Sequence, residues 1–515
     1  MTTFSSFDAG GISRRNLLVG AASTALILPA GFAQTAPPKR GGTLRIAATG
    51  ASAGDSLDPS TFNSPYMVTV GHTYGNCLVE LKGEANEMIP ELAESWEYAD
   101  GGRRWIFNLR KGVTFHDGRP FTAKDVVWTL NYHGGPNSKS GSKALLADMT
   151  SVKADGSHRV IVELSSPNLD FPYILTGFQL IILPENTTQF NGIGTGPYKV
   201  VKFVPGQRLE ASRYANYWKQ GRAHVDKVEL LAINDTAARL NAIQSGQVHI
   251  VEGLDPKTAG LLERVPNVRV ARVPSTLFSM FNMLCDVAPF NNADLRMALK
   301  LSLDREDLVK RVYRGYARVG NDHPVVATHP FFNASLPQRK YDPEQAKHYF
   351  KKSGFSGSLP LHTSDAVGAT AIEAASLFKE HAAKAGITID IQREPADGYW
   401  SNVWSKKAFH ASIWFPRATP DIIMSTAFKG GSTWNDTHWK NDQFDKALVA
   451  ARGETDPAKR KELYGQCQAI LHQDGGALIP AFLDLLDGVR SNVQGFEPSL
   501  TTLSGLRAAE RCWLT

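Results

Sequence analysis

Cysteine is scarce in this chain, with 4 in 515 residues, and so is any surplus of charge: 56 Lys and Arg stand against 50 Asp and Glu, a net +6. Cys77, Cys285, Cys467 and Cys512 are too few for a disulfide framework, and none has the C-x-x-C spacing of a metal or redox site. They read as structural, and their three possible pairings stay open. The basic residues are dispersed among acidic ones, with no Lys/Arg block and no interleaving with aromatics, which argues against a nucleic-acid partner. A phosphate-cradling G-x-x-x-x-G-K-[ST] loop is missing, so the chain does not hydrolyse ATP itself. Its 14 histidines include no H-E-x-x-H pair, and neither metal nor cofactor is expected. There is no internal repeat or low-complexity tract, and past the N-terminus no apolar run is long enough to span a bilayer. What remains is a globular chain, 42% hydrophobic and 10% aromatic, with material for large cores and a length suggesting about three domain-sized units.

The N-terminus indicates export. Ser13-Arg14-Arg15-Asn16-Leu17-Leu18 precedes an apolar run from Leu17 to Ala30, and Gly31-Phe32-Ala33 supplies small residues for cleavage. The run holds Gly20, Ser23, Thr24 and Pro29 and is shorter than the roughly 20 apolar residues of a membrane anchor. A twin-arginine-type signal over residues 1–33, cleaved after Ala33, is therefore expected. No Cys lies near that junction, so a free, unlipidated protein in a periplasm follows.

The stretch from Pro90 to Tyr132 carries a complete local fold. Trp96 and Tyr98 alternate with polar neighbours, Asp100-Gly101-Gly102 tolerates positive φ, and Trp105, Phe107 and Leu109 share one face of a returning strand, which predicts a hairpin. Thr122, with Asp125 three residues on, predicts a capping box that opens a helix through Val126, Val127 and Leu130. The core R-K-G-V-x-F-H-D-G-x-P-F-x-A-x-D-V (110–126) resembles the signature of family 5 extracellular solute-binding proteins, the dipeptide- and oligopeptide-binding type that serve ABC importers. Gly194-Thr195-Gly196-Pro197-Tyr198, Tyr217-Trp218, Phe281-Asn282, Arg296-Met297-Ala298-Leu299 and Asp304-Arg305-Glu306 follow in that family's order, so the resemblance covers nearly the whole mature chain.

It implies an α/β, two-lobed periplasmic binding protein of type II, peptide-binding-like, with an extra subdomain in the first lobe. The expected layout is a first lobe at 41–275, with the subdomain near 80–190, a second lobe at 276–478, and a return to the first at 479–515. The residues fit. Gly41 to Thr49 predicts a first strand, Ser151 to Leu164 a hairpin-like unit, and Phe178 to Leu183 an apolar run in strand-rich sequence. Helices are expected at Asp235–Gln244, at Asp294–Leu303 and Asp304–Tyr313 behind Asp caps, at Ala369–Ala385, at Asp442–Ala451 and at Pro457–His472. Strands at Leu359–Thr363 and Ile387–Gln392 flank the fourth of these, the alternation of an α/β layer structure. Ala477–Phe482 would return the chain to the first lobe.

Two features could carry chemistry. Gly50-Ala51-Ser52-Ala53-Gly54 matches G-x-S-x-G, which would make Ser52 the nucleophile of a secreted serine hydrolase, but Asp58-Pro59 follows where an elbow must enter a helix. A glycine loop before an L-D-P segment is the favoured reading, and His116-Asp117 sits in the family's turn. The other feature is aromatic. Tyr399, Trp400, Trp404, Trp414, Trp434 and Trp439 crowd one region that includes Trp414-Phe415-Pro416-Arg417-Ala418-Thr419-Pro420-Asp421. A cleft that strips water from a solute needs such walls and a few fixed polar groups, although any one Trp serves a core as readily.

In peptide-binding relatives the resembling stretch reads W-x-x-D, and that Asp receives the peptide's ammonium. Here Trp414-x-x-Arg417 inverts the charge, and on a register shifted by one Pro416 stands there instead. Arg417 favours a carboxylate, phosphate or hydroxyl-rich group, so a modified peptide, an opine-like conjugate, a sugar acid or an oligosaccharide suits the site, unless Arg417 simply pairs with Asp421. The candidate ligand-binding residues are Arg417, Trp414, Thr419, Asp421, Trp400, Tyr399, Trp434 and Asn282. A monomeric, non-catalytic receptor that delivers its solute to an inner-membrane ABC permease is expected, with a periplasmic chaperone-like protein as a further alternative.

Overall fold

In the computed structural model, which describes residues 38–82, 87–497 and 507–515, the hairpin around Asp100 forms from Ala93–Ala99 and Arg104–Leu109. Asp100, Gly101 and Gly102 turn the chain at φ of 51°, 66° and 93°. The leader at 1–33 lies outside the described residues. Trp105, Phe107 and Leu109 are buried, as their alternation required. The Thr122 amide donates to Asp125 Oδ2 at 2.7 Å, closing the capping box of helix Ala123–Gly134. That helix lays Val126 and Leu130 on a four-stranded sheet in which Arg159–Leu164 and Met149–Ala154 extend the hairpin.

A second, 11-stranded sheet is built around two long antiparallel strands, Val268–Met283 and Ala477–Arg490. Their register runs from Val268 opposite Arg490 to Asn282 opposite Ala477, with irregularities between Pro274 and Leu277 and between Ser279 and Phe281. Beyond one edge lie Ile250–Val251, Thr43–Ala48, Lys227–Ala232, Arg208–Arg213 and Tyr198–Val204; beyond the other lie Phe409–Trp414, Ser358–Thr363 and Thr388–Arg393. The last two are parallel and joined through helix Ala371–Ala383, the unit that makes this an α/β fold.

The fold is two-lobed. Leu44, Ile46, Tyr66, Leu230 and Val489 share one core with Ala508 and Cys512, whereas Phe281, Leu299, Leu361, Phe378 and Phe409 belong to another. The strand Val268–Met283 straddles residue 275, where Val273, Leu277 and Leu485 form a small cluster with Ile413 and Leu483 packed against it.

Two motifs that carry the family resemblance meet in space. His116 is buried, its amide donates to Gly194 O at 3.0 Å, and its Nε2 lies 2.9 Å from Gly196 O. A Cβ on Gly194 would come within 2.2 Å of Tyr74 O, so only glycine permits that approach.

Some expectations change. Phe178–Leu183 is not a ladder strand: a single 3₁₀ turn, Phe178–Leu180, is followed by an extended segment tied by Ile182 to Asn76 O and by Leu183 to the Thr129 hydroxyl. Helix Ala293–Leu301 is capped by Asn292, which accepts from Asp294 N at 2.9 Å, while Asp304 caps Arg305–Arg311 as predicted. All four cysteines are free thiols. A buried ion cluster, unannounced by the sequence, holds the C-terminal segment: Arg507 donates to Glu91 Oε2 at 2.7 Å and Lys219 to Glu80 at 2.7 Å, with Glu510 and Arg511 alongside. Among the described residues, no helix is long and apolar enough to cross a membrane.

Candidate functional site

Strand Phe409–Trp414 ends at Trp414, and the next five residues turn into helix Pro420–Ala427. Thr419 caps that helix, accepting from Ile422 N at 3.3 Å, and Pro420 occupies the first turn, where its missing N–H costs nothing. This geometry leaves Arg417 in the intervening loop, half-buried. Its Nη1 donates only to carbonyls, Pro416 O at 3.1 Å and Phe415 O at 3.4 Å, and its guanidinium lies 5.5 Å from the Trp414 ring centroid. Among the described residues, no carboxylate lies within ion-pair distance of it, and burial lowers its pKa to about 10. The guanidinium borders a cavity of about 30 Å³ lined also by Thr276, Phe278, Val325, His329 and Thr419, room for a water or two and not for a solute. A separate cavity of about 210 Å³ lies against Tyr74, Arg119 and the 183–193 loop.

Asp421 is not the partner of Arg417. It is buried against Arg452 Nε at 3.0 Å and Ser425 Oγ at 3.1 Å. Arg452 continues to Asp148, beside the subdomain sheet, at 2.8 Å, and its carbonyl accepts from Leu169 N. Arg460 lies 2.9 Å from buried Asp170, an ion-pair contact, and the Thr419 hydroxyl also bonds Asp170. Thr419 and Asp421 thus stand where helices of the second lobe meet the subdomain.

The aromatics separate by environment. Tyr399 is 1% exposed inside the second lobe's core, and its hydroxyl donates to Ala411 O at 2.7 Å. Trp414 is 5% exposed, whereas Trp400 and Trp434 are each 43% exposed. Trp400, Trp404, Trp434 and Trp414 form a chain of ring contacts 6.5, 6.2 and 6.0 Å between centroids. Asn282 is buried, brought opposite His410 by strand register, and its Nδ2 donates to Asp436 Oδ2 at 2.8 Å.

Asp436 is the residue the sequence reading missed. It is wholly buried, and Oδ2 also accepts from Trp404 Nε1 and Trp414 Nε1, each at 3.2 Å, and from Ser412 Oγ at 3.3 Å. Every donor is neutral, Oδ1 has no hydrogen-bond partner among the described residues, and burial pushes the carboxyl pKa up to about 6. Its only signal in the sequence is a lone acid inside Trp434–Trp439.

Ser52 is exposed in a loop; its hydroxyl accepts from Gly54 N at 3.1 Å, and the next helical turn is the 3₁₀ segment Pro59–Thr61. Among the described residues, no histidine bonds Ser52 and no cluster of His, Cys, Asp or Glu is arranged to hold a metal. The arrangement supports binding by desolvated charge and aromatic surface.

Comparison with known proteins agrees in kind. The family described as bacterial extracellular solute-binding proteins, family 5, middle, matches residues 87–449. The dipeptide-binding protein of Escherichia coli K12 is 25% identical over 486 residues, covering 85% of this chain and 90% of that protein. The periplasmic binding protein DppA of Helicobacter pylori, solved with the peptide STSA, superposes with a TM-score of 0.80 at 23% identity, covering 92% of this chain and 98% of that one. AgaA of A. tumefaciens R10, solved with agropinic acid, gives a TM-score of 0.79 at 20% identity, covering 92% and 99%.

Proposed function

We propose, since this chain belongs to the family 5 bacterial extracellular solute-binding proteins, that it captures a small anionic solute between its lobes and delivers it to an inner-membrane ABC permease. The carrying observation is the half-buried Arg417 guanidinium in the loop after Trp414, which among the described residues has no carboxylate partner. A half-buried guanidinium without a counter-charge attracts an anion, and its planar fork suits a carboxylate or phosphate. Relatives solved with a peptide and with agropinic acid show how widely ligands vary on one fold. A modified peptide, an opine-like conjugate or a sugar acid fits better than a peptide presenting a free ammonium to Arg417.

The protein works as a monomeric receptor without catalysis. The lobe limits 41–275, 276–478 and 479–515 place both long strands at the crossover, and their shared irregularities suit bending there. Export uses the Arg14-Arg15 signal with cleavage after Ala33, leaving a free periplasmic protein. Native mass spectrometry of protein purified without added ligand tests the solute class: a co-purifying compound bearing carboxylate or phosphate is expected, and one bearing neither overturns the reading.

A further inference from the structure

Asp436 poses a physical problem that the anion reading leaves untouched. A carboxylate with no exposed surface is held by neutral donors at one oxygen, while the other has no partner among the described residues. A buried charge of this sort is expensive to keep, and an amide of the same shape could accept the same bonds. Its surroundings suggest why the charge is present. Trp404 and Trp414 both spend their indole N–H groups on Asp436, which fixes the rings and polarises their π systems toward the negative face that attracts cations. Trp434 packs against both, and Trp434 and Trp400 keep nearly half their surfaces open. The face of Trp414 already carries one guanidinium, that of Arg417.

We infer that the exposed indoles of Trp434 and Trp400, both packed on the Trp404 ring whose N–H the Asp436 carboxylate holds, form a subsite for an alkylated ammonium group on the bound solute. This rests on the reading that a solute binds beside Arg417, and it makes that solute dipolar, its anion toward Arg417 and its cation one indole away. An alkylated ammonium suits the surface better than a primary one. A primary ammonium carries three N–H donors that need acceptors, and the indole faces supply none. A quaternary centre brings diffuse charge and methyl groups, which aromatic faces accommodate directly.

The test uses two probes of one shape, choline and 3,3-dimethylbutan-1-ol, titrated against the mature protein by tryptophan fluorescence. Choline quenches saturably and the neutral isostere binds at least about fivefold more weakly. Trp434→Leu, at a half-open position that does not decide folding, and Asp436→Asn each weaken choline by at least about fivefold, with circular dichroism showing both folded. No saturable choline response, equal affinity for the two probes, or unchanged choline affinity in either folded variant overturns the subsite. Choline carries no anion, so its failure leaves the Arg417 reading standing, and failure of anionic solutes leaves the choline result standing.

Discussion

Arg452 donates to Asp148 at 2.8 Å across the contact between the second lobe and the subdomain, while its Nε holds Asp421 at 3.0 Å. One guanidinium therefore both secures helix Pro420–Ala427, which follows the Arg417 loop, and fastens it to the opposite face. Asp148 is half-exposed, so its removal costs little stability, but it releases one end of the fastening. Asp148→Ala is expected to raise the radius of gyration of ligand-free protein in small-angle scattering. Arg452→Ala should do the same and in addition lose about 3 kcal/mol of stability, because Asp421 is left buried and unpaired. An unchanged radius in both variants would show that other contacts hold the lobes.

Asp436 yields a prediction whose sign runs against intuition. Its folded pKa near 6 lies above the usual aspartate range, so the fold prefers the protonated form. The stability contributed by that preference is present below about pH 4 and is lost as pH rises through 6. Asp436→Asn keeps a neutral acceptor, so it should unfold later than wild type at pH 7.5, by on the order of 1–3 kcal/mol, with the difference vanishing near pH 4. Thermal melts at both pH values check this. A variant less stable at pH 7.5 would mean that the charge strengthens the Trp404, Trp414 and Asn282 bonds by more than its desolvation costs.

The C-terminal segment should be a stability element. Arg507 is 5% exposed and faces Glu91, Glu80 and Glu510. Arg507→Met leaves three buried carboxylates to Lys219, Arg511 and the more exposed Arg222, and urea unfolding should show a loss of about 3–5 kcal/mol. Ligand affinity of the surviving folded fraction should not change. A loss below about 1 kcal/mol would indicate that the cluster is held in place by its surroundings and contributes little of its own.

Replacing Arg14 and Arg15 together with Lys should trap precursor in the cytoplasm, seen as a band retaining the leader in cell fractions. An unchanged periplasmic yield would assign export to the general secretory route.

Much of the fold was legible because its signals are local. The turn at Asp100 to Gly102, the Thr122–Asp125 box and the Asp304 cap each need only neighbours within a few residues. The site was legible only in part. Arg417 drew notice through the resemblance to a stretch expected to carry an acid, yet whether Asp421 answered it depended on Arg452, which a helix 31 residues away delivers. Tyr399 and Trp400 are adjacent in sequence, and only tertiary packing sends one to the core and leaves the other open. Asp436 and Asn282 meet through strand register and a loop 154 residues on, a pairing with no periodic trace. Phe178–Leu183 read as strand-like because apolar runs look alike, while its hydrogen bonds go to single partners on either side.

The most direct test of the account is calorimetry on wild type and Arg417→Ala with the co-purified solute and a panel of unmodified di- and tripeptides. The account predicts that wild type binds the solute and not the peptides, that Arg417→Ala weakens the solute by roughly 2–5 kcal/mol with its fold intact, and that Arg417→Lys recovers only part of the loss. Tight binding of ordinary peptides with free amino termini by the wild-type protein would contradict it.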